Sequence, residues 1–435
     1  MMDIWAPDWK REPYWLDTMP KYTVAGSELS AKADVVIIGS GYTGLNATLE
    51  VVRGGRSVFI LDAAEVGSGC STRNGGQISA GIKPTFAALT KTYGAEKALA
   101  IRNEGRKALD WIETRINEEN ISCDFQRSGN FYAAHSPEAF EKLAYSAEQQ
   151  QKLEGVNTVV ISRRDQRQFL GTNFYHGGVF YPHNAILNPA KYHRGMLDAV
   201  LQAGAEIIDQ CAVLDINRQS NSDFLIQTVK GEIRAKEVIV ATNGYTSSNI
   251  KWHARRVIPI GSYIIATEPL PSELIDQLFP KTLSVSDSRK VVYYYRPTPD
   301  RKRIMFGGRV SANETDTSIS GPKLHHDMCR IFPELKQYKI THSWMGKVAY
   351  TFDELPHIGV NDGIHYSMGY CGTGISLSSY LGMRIGQKVL GSKIAQTPFD
   401  GLTFATRPFY TGKPWFLPPM VAWYRWRDKV NSMNA

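Results

Sequence analysis

Hydrophobic and polar positions near the start of the chain predict a β-α-β unit. Ala33–Ile38 is a short, continuous apolar run that ends in glycines, which is the pattern of a buried strand. Leu45–Arg53 is compatible with a helix, and Ser57–Leu61 is a second apolar run that predicts another strand. Strands that alternate with a helix in this way are typical of an α/β domain with a parallel sheet.

The middle of the chain mixes helical and strand patterns. Amphipathic spacing predicts helices at three places: residues 94–119, residues 136–153 and the stretch from Pro189 to Ala203. Shorter alternating or apolar segments predict five strands: Gly129–Ala134, Val213–Asn217, Phe224–Val229, Glu232–Ala235 and Glu237–Ala241. The second, third and fourth of these strands form a meander, and the fifth is buried.

The last third of the chain predicts a second sheet and then a return to the first pattern. Tyr263–Thr267, Val291–Arg296 and Ile304–Gly307 are expected to form a mostly antiparallel sheet, because no crossover helix separates the last two. The strand Ile364–Met368, a glycine turn at 372–374 and the helix Ile375–Leu390 then resemble the opening unit.

These patterns predict an α/β fold with two domains assembled from discontinuous segments. A Rossmann-like nucleotide-binding domain takes residues 30–95, 160–250 and 341–400. A substrate domain of the α+β kind, built around the mostly antiparallel sheet, takes residues 96–159 and 251–340. Residues 1–29 form an N-terminal arm, and residues 401–435 form a C-terminal extension.

Composition narrows the class of protein. At 435 residues the chain exceeds what one core usually supports, which agrees with two domains. Hydrophobic residues at 43% and charged residues at 21% are ordinary for a globular protein. The net charge of +8 is scattered and lacks the basic runs that mark nucleic-acid patches, so we expect no nucleic-acid partner.

Cysteine usage and hydropathy predict a cytoplasmic protein. The five cysteines are odd in number, widely spaced and free of any CxxC pair, which argues against a disulfide framework or a metal site. No run reaches the roughly 18 apolar residues of a membrane span. The basic aromatic stretch Val421–Lys429 predicts a docked terminal helix, and peripheral contact with a membrane is the less favoured alternative.

The segment Gly39-Ser-Gly41-Tyr-Thr-Gly44 is a dinucleotide-binding fingerprint in its proper context. Gly39 permits the tight turn, Gly41 lets the backbone approach a pyrophosphate, and Gly44 allows close packing of strand and helix. Asp62 ends the second strand 18 residues beyond Gly44, where a carboxylate accepts hydrogen bonds from ribose hydroxyls. The fingerprint alone does not separate NAD from FAD.

The loop that follows carries a more specific signal. The run Arg73-Asn74-Gly75-Gly76-Gln77 resembles the D-amino-acid oxidase superfamily of flavoproteins, and particularly its gamma-glutamylputrescine oxidoreductase branch, where this loop passes the flavin. The chain has Cys70-Ser71-Thr72 where that branch usually has Ala-Ser-Gly. The resemblance implies FAD as the cofactor of the nucleotide-binding domain.

Further segments extend the resemblance along the chain. Val238–Gly244 resembles the family's strand that ends at a second glycine turn near the cofactor. Asp353–Gly359 and Gly369–Ile375 resemble a C-terminal segment whose helix N-terminus points toward the flavin, where backbone N–H groups stabilise the charge of the reduced ring. The fingerprint and the resemblance together place the following residues in the FAD site: Gly39, Gly41, Tyr42, Thr43, Gly44, Asp62, Ser71, Thr72, Arg73, Asn74, Gly75, Gly76, Gln77, Val213, Gly244, Gly372, Thr373, Gly374 and Ile375.

Candidate catalytic residues lie on two predicted segments. Alternation along Val291–Arg296 places Tyr294 and Arg296 on one face, and we expect Arg296 to grip a substrate carboxylate through a two-pronged pair. The resemblance implies that Lys347 and Tyr350 lie close to the flavin. Four lone histidines are expected to be structural rather than catalytic bases: His135, His176, His183 and His357.

The resemblance also bears on how FAD is held and reoxidised. Sarcosine-oxidase relatives attach flavin through a cysteine at the place of Val348, so we predict non-covalent FAD. Met305 stands in the place of their oxygen-activating lysine, for which Lys347 is a candidate replacement, although an exposed lysine is the favoured interpretation. Oxygen and another electron acceptor remain open alternatives.

Three functions follow from these patterns. The favoured one is FAD-dependent oxidation of an amine, with hydride transfer to the flavin and hydrolysis of the imine, acting on a gamma-glutamyl amine or another secondary amine or N-substituted amino acid. A cyclic imino acid such as L-pipecolate is the alternative substrate. A non-catalytic flavin-bound or tRNA-modification module is the alternative from another class, and an NAD-dependent dehydrogenase is disfavoured because no second fingerprint is present.

Overall fold

The computed structural model describes residues 3–21, 28–220, 223–309 and 314–433. The strands are β1 Trp5–Lys10, β2 Lys32–Ile38, β3 Val58–Leu61, β4 Gln77–Ile78, β5 Asn130–Ala133, β6 Val159–Ile161, β7 Gly178–Tyr181, β8 Ala185–Ile186, β9 Glu206–Ile208, β10 Val213–Arg218, β11 Phe224–Thr228, β12 Gly231–Val240, β13 Ile258–Thr267, β14 Ser284–Asp287, β15 Tyr293–Pro297, β16 Ile304–Gly308, β17 Ile340–Tyr350, β18 His357–Asn361 and β19 Ile364–Met368. The helices are α1 Tyr42–Arg53, α2 Cys70–Arg73, α3 Phe86–Tyr93, α4 Ala95–Glu118, α5 Pro137–Glu154, α6 Pro189–Gln202, α7 Lys251–Ala254, α8 Ser272–Leu278, α9 Thr317–Ile331, α10 Gly374–Val389 and α11 Leu417–Met433.

An eight-stranded sheet forms the first of the two layers of strands. Strands β2, β3, β9, β12 and β19 pair in parallel with one another. Strands β10, β11 and the first half of β12 form an antiparallel meander, and β18 is antiparallel to β19. The sequence predicted two strands at 232–235 and 237–241, and this was wrong. They are one strand, because the meander partner Phe224 pairs with Ala235 and the ladder continues without a break to Glu237 opposite Val35.

Helices α1 and α10 pack closely beside this sheet. A Cβ on Gly382 would lie 2.5 Å from the Thr43 carbonyl oxygen, and a Cβ on Gly386 would lie 2.7 Å from that of Ala47. Only glycine permits backbones to approach this closely. Helix α4 also belongs to this core through residues such as Ile101 and Ile112, so the predicted boundary that gave 96–118 to the substrate domain was wrong.

A nine-stranded sheet forms the second layer in the order β1-β17-β13-β16-β15-β14-β5-β7-β6. The pairings are mostly antiparallel, as the sequence predicted, and the exceptions are β1 with β17 and β14 with β5. Four strands lie here that the predicted boundaries placed wholly or mostly elsewhere: β1 from the arm, and β6, β7 and β17 from the nucleotide-binding segments. Strand β17 joins this sheet because it pairs with β13 from Ile340 to Tyr350.

The C-terminal helix α11 docks against the rest of the chain, as predicted. Leu417 is buried with Ile258 and Tyr410, while Trp423 and Trp426 are each 55% exposed. Of the helices in the described ranges, none combines the length and the apolar character that crossing a bilayer requires.

Candidate active site

A large cavity of about 1840 Å³ is lined by residues of both sheets. Most of the expected FAD-site residues line it: Gly39, Gly41, Tyr42, Thr43, Asp62, Ser71, Arg73, Asn74, Gly75, Gln77, Val213, Gly372, Thr373, Gly374 and Ile375. Gly44, Thr72, Gly76 and Gly244 lie behind this lining. A cavity of this size exceeds what a small substrate alone requires, which leaves room for a dinucleotide.

The turn from β2 to α1 has the geometry that the fingerprint predicts. Gly39 adopts φ +104°, which favours glycine, and a Cβ on Gly44 would lie 1.9 Å from the Gly39 carbonyl oxygen. A Cβ on Gly41 would meet only the Ser71 Oγ, at 3.0 Å. The N-cap residue Gly41 offers no side-chain cap to helix α1, and the first helical N–H, that of Tyr42, donates to the Ser71 Oγ at 3.1 Å. The rest of this helix end faces a cradle that suits a pyrophosphate.

Asp62 lies at the end of β3 and is held by the fingerprint turn. Its Oδ2 accepts hydrogen bonds from the Ser40 backbone N–H at 2.8 Å and from the Ser40 hydroxyl at 2.5 Å. The Ser40 carbonyl accepts from His193 Nε2 at 2.8 Å, so Nε2 carries the proton. Burial lowers the pKa of His193 and keeps the ring neutral. Sequence reasoning missed His193, whose only signal is its position on the buried face of α6.

The glycine-rich loop after α2 is fixed by donors from three other elements. Trp344 Nε1 donates to the Arg73 carbonyl, and Trp15 Nε1 donates to the Asn74 carbonyl, both at 2.8 Å. Arg296 Nη1 donates to the Gly76 carbonyl at 2.8 Å. The side chain of Asn74 accepts from the Gly76 N–H at 2.9 Å. The polar groups of the loop are therefore satisfied on the side away from the cavity.

Two more glycine turns complete the cofactor side of the cavity. A Cβ on Gly374, at the start of α10, would meet no atom within 4 Å, so this helix end opens into the cavity. The Asn243 Oδ1 accepts from the Gly369 N–H at 2.9 Å and ties the turn after β12 to the turn before α10. Gly244 faces the backbone of Lys347, whose carbonyl oxygen lies 3.0 Å from a Cβ built there.

Tyr294 lines the cavity. Its ring lies between two glycines, since a Cβ on Gly307 would come 2.3 Å from it and a Cβ on Gly75 would come 3.2 Å from it. Its hydroxyl lies 2.7 Å from the Ser262 Oγ, and burial raises its pKa, so the phenol stays protonated. Tyr295 points to the opposite face and stacks on Phe306.

Lys347 and Tyr350 also line the cavity. The Lys347 ammonium forms an ion pair with Glu314 at 3.1 Å, and its side chain is 32% exposed. Met305 is buried in a cluster with Trp15 and Trp344 and does not line the cavity. The position of Met305, which corresponds to the oxygen-activating lysine of the sarcosine-oxidase relatives, therefore does not face the cavity.

The structure does not place Arg296 where a substrate clamp would be, and this prediction is corrected. Arg296 shares a face with Tyr294, but the backbone at Gly76 and Leu187 covers it. Its side chain is 1% exposed, lines no part of the cavity and donates to carbonyl oxygens of Gly76, Leu187 and Pro297. Burial lowers the pKa of Arg296 to about 9.

Sequence reasoning also missed Lys83, Tyr132 and Glu354, which line the cavity. The Lys83 Nζ lies 5.4 Å from the centre of the Tyr350 ring. Burial disfavours its charged form, but the charges of Tyr350, Glu354 and Tyr132 outweigh this, so the pKa of Lys83 is above its ordinary value. Lys83 follows β4 in a loop without periodicity, so no pattern in the sequence singles it out.

The donor set fits FAD. The cradle at Gly41 suits the pyrophosphate, Asp62 suits the ribose, and the open N-terminus of α10 suits an anionic flavin ring. In the described residues, no cluster of His, Cys, Asp and Glu is arranged to hold a metal ion. The fold and the site define an FAD-dependent oxidoreductase.

Comparison with known proteins agrees with this class. The chain belongs to the DAO family of FAD-dependent oxidoreductases, whose model matches residues 34–388. It is 30% identical over 375 residues to a probable oxidoreductase OrdL of Haemophilus influenzae, covering 85% of this chain and 86% of that protein. It is 29% identical over 412 residues to gamma-glutamylputrescine oxidoreductase of Escherichia coli, covering 92% of this chain and 94% of that protein.

The fold has its counterpart among solved structures. Glycine oxidase from Geobacillus kaustophilus superposes with a TM-score of 0.73 at 18% identity, covering 87% of this chain and 99% of that one. The family, the α/β fold class and the FAD cofactor expected from the sequence are thereby confirmed. The protein is an FAD-dependent oxidoreductase of amines or amino acids.

Proposed function

We propose that this enzyme oxidises a gamma-glutamyl amine, or a related secondary amine or N-substituted amino acid, at the carbon that carries the amine. The observation that carries the proposal is the similarity to gamma-glutamylputrescine oxidoreductase along 92% of the chain. Bound FAD supplies the acceptor for the hydride, and water hydrolyses the resulting imine. The chain's own residues then have to bind, orient and shield the amine.

The wall of the cavity supports this substrate class. Tyr132, Tyr294 and Tyr350 offer aromatic surface against which an alkyl amine chain can align. Lys83 and Glu354 line the same wall and carry opposite charges, and the charge of Glu354 helps to raise the pKa of Lys83. The alpha-amino-acid head of a gamma-glutamyl group carries one negative and one positive charge, so these two side chains suit its two ends.

Positioning dominates over proton transfer in this proposal. The phenol of Tyr294 is held protonated, and the neutral amine needs no strong base near it. We infer that Lys83, rather than the buried Arg296, supplies the attraction for a substrate carboxylate. The absence of a cysteine at Val348 supports dissociable FAD, and the odd, scattered cysteines support a cytoplasmic location.

A substrate panel tests the proposal. The purified enzyme is assayed with gamma-glutamylputrescine, the same compound with its alpha-carboxylate amidated, N-methylglycine and L-pipecolate, using both peroxide detection and a dye acceptor. We expect the highest kcat/KM for gamma-glutamylputrescine. Preference for pipecolate would favour a cyclic imino acid oxidase, and turnover of none of these compounds would contradict the proposed class.

Variants at Lys83 test the charge on the cavity wall. Lys83→Met should raise KM for gamma-glutamylputrescine about tenfold to a hundredfold, since charge-assisted hydrogen bonds contribute about 1.5–3 kcal/mol, and should leave KM for the amidated compound nearly unchanged. Lys91→Met, on the exposed side of the nearby helix α3, is the matched control. Equal losses on both compounds would remove Lys83 from the substrate site.

A further inference from the structure

The Asn74–Gly75 peptide bond is held from one side by the N-terminal arm. Trp15 lies in a short 3-10 helix, Tyr14–Thr18, and is fully buried. Its indole N–H donates to the Asn74 carbonyl at 2.8 Å. Because a trans peptide is planar, its C=O and N–H groups point in opposite directions. The N–H of Gly75 therefore points away from Trp15.

The other side of this peptide is the cavity. Gly75 lines the cavity, and within the described ranges its N–H has no hydrogen-bond acceptor. Gly75 is half-buried and lines the cavity, so a molecule bound in the cavity can accept from its N–H. An N–H that is fixed by a buried donor on its carbonyl side and has no acceptor of its own is a prepared donor for a ligand.

The position along the loop indicates which end of the cofactor this donor meets. Ser71 lies beside the pyrophosphate cradle at Gly41, and Asp62 marks the ribose on one side of that cradle. Gly75 lies four residues beyond Ser71, against the ring of Tyr294 on the substrate side. If the Gly41 cradle holds the pyrophosphate and Asp62 the ribose, the flavin ring system is the part of FAD left to reach the Tyr294 side.

We propose that Trp15 is a positioning residue that aims the Gly75 N–H at the flavin ring, so that the N-terminal arm helps to set the ring's affinity and reduction potential. The proposal concerns FAD and holds whichever amine is oxidised. A hydrogen bond to an anionic acceptor is stronger than one to a neutral acceptor, so this donor favours reduced FAD over oxidised FAD.

Two variants of Gly75 compare a backbone that keeps the donor with one that lacks it, and both carry a Cβ at this position. Gly75→Ala keeps the N–H and adds a Cβ about 3.2 Å from the Tyr294 ring. Gly75→Pro removes the N–H and places a ring carbon where the hydrogen was; Asn74 is extended, with ψ 169°, as the residue before proline must be. Relative to Gly75→Ala, Gly75→Pro should lose about tenfold more affinity for reduced than for oxidised FAD. For this two-electron couple a tenfold loss lowers the midpoint potential by about 30 mV.

Trp15→Phe tests the arm without altering the loop's sequence. It removes the indole N–H and keeps an aromatic ring, so the midpoint potential should fall in the same direction by a smaller amount. Trp9→Phe is the matched control, since Trp9 stacks on Trp5 in the same arm at 4.1 Å. FAD affinity comes from titration of the apoprotein by flavin fluorescence, and the potential from equilibration with a reference dye.

Either of two results overturns the proposal. One is a midpoint potential in Gly75→Pro equal to that in Gly75→Ala. The other is a midpoint potential in Trp15→Phe equal to that in Trp9→Phe. The potential would also stay equal if Trp15→Phe weakened the affinity for oxidised and for reduced FAD by the same factor, which is the pattern expected of a loosened loop. If Gly75→Pro does not fold, the comparison of Trp15→Phe with Trp9→Phe decides alone.

Discussion

Replacing Arg296 should destabilise the protein rather than discriminate between substrates. The guanidinium donates to the carbonyl oxygens of Gly76 at 2.8 Å and of Leu187 and Pro297 at 3.1 Å, all within the interior. In Arg296→Met, the Gly76 oxygen still accepts from the Leu187 N–H at 2.9 Å, but the other two oxygens lose a donor. The side chain of methionine fills much of the vacated volume.

The size of the effect follows from these contacts. Leaving a buried carbonyl without a donor costs roughly 1–3 kcal/mol, so two of them cost about 2–6 kcal/mol. Removing a charge that burial disfavours offsets part of this, and we expect a net loss of about 2–3 kcal/mol in the free energy of unfolding. At about 2 °C per kcal/mol for a large domain, the melting temperature falls by about 5 °C.

The assay combines thermal unfolding with steady-state kinetics. Wild type and Arg296→Met are melted while flavin release and circular dichroism are recorded, and KM is measured for an amine with and without a carboxylate. We expect the lower melting temperature and equal changes in KM for the two substrates. An unchanged melting temperature with KM raised only for the carboxylate substrate would refute this reasoning and restore Arg296 as a substrate clamp.

Three further predictions follow from the site and the core. Gly41→Val should fold but purify without FAD, because its side chain enters the pyrophosphate cradle. Gly44→Val should fail to fold, because its Cβ would lie 1.9 Å from the Gly39 carbonyl oxygen. Absorbance at the flavin band reports the loss of FAD, and circular dichroism reports the loss of the fold. Acid precipitation of the wild type should release all flavin to the supernatant, and colour in the pellet would show a covalent bond. Burial, with a contribution from Arg256, lowers the pKa of His253 to about 4, whereas the pKa of histidine in the unfolded chain is about 6.5. As the pH falls from 6.5 to 4, the unfolded chain therefore takes up a proton that the folded protein does not, and the free energy of unfolding should fall by about 3 kcal/mol. His253→Phe keeps the ring contacts with Trp252 and Tyr366, and its melting temperature should fall less than that of the wild type between pH 7 and pH 4.5. An equal fall in the two proteins would contradict the assignment of this pH dependence to His253.

Local signals explain what could be predicted from the sequence. The apolar run of β2, the glycines of the turn and the helix that follows act within twenty residues, so periodicity and glycine spacing indicate them directly. The alternation in β15 likewise placed Tyr294 and Arg296 on one face and Tyr295 on the other. These features need no knowledge of distant partners.

Partners distant in sequence explain what could not be predicted. Arg296 and Tyr294 share a face, but only the fold shows that the backbone at Gly76 and Leu187 covers the first and leaves the second open. The domain assignment of β17 depends on its pairing with β13, about eighty residues earlier in the chain. Lys83 lies in an aperiodic loop, and its site exists only because Tyr350 is brought beside it.

The central claim, that FAD bound in this cavity oxidises an amine, is tested most directly by anaerobic titration of the purified protein. The yellow enzyme is mixed with gamma-glutamylputrescine in the absence of oxygen, and the flavin absorbance is followed. We predict stoichiometric bleaching by this amine and recovery of the yellow colour when an electron acceptor is added. A protein that binds FAD and keeps its full colour with gamma-glutamylputrescine, N-methylglycine and L-pipecolate would contradict the claim.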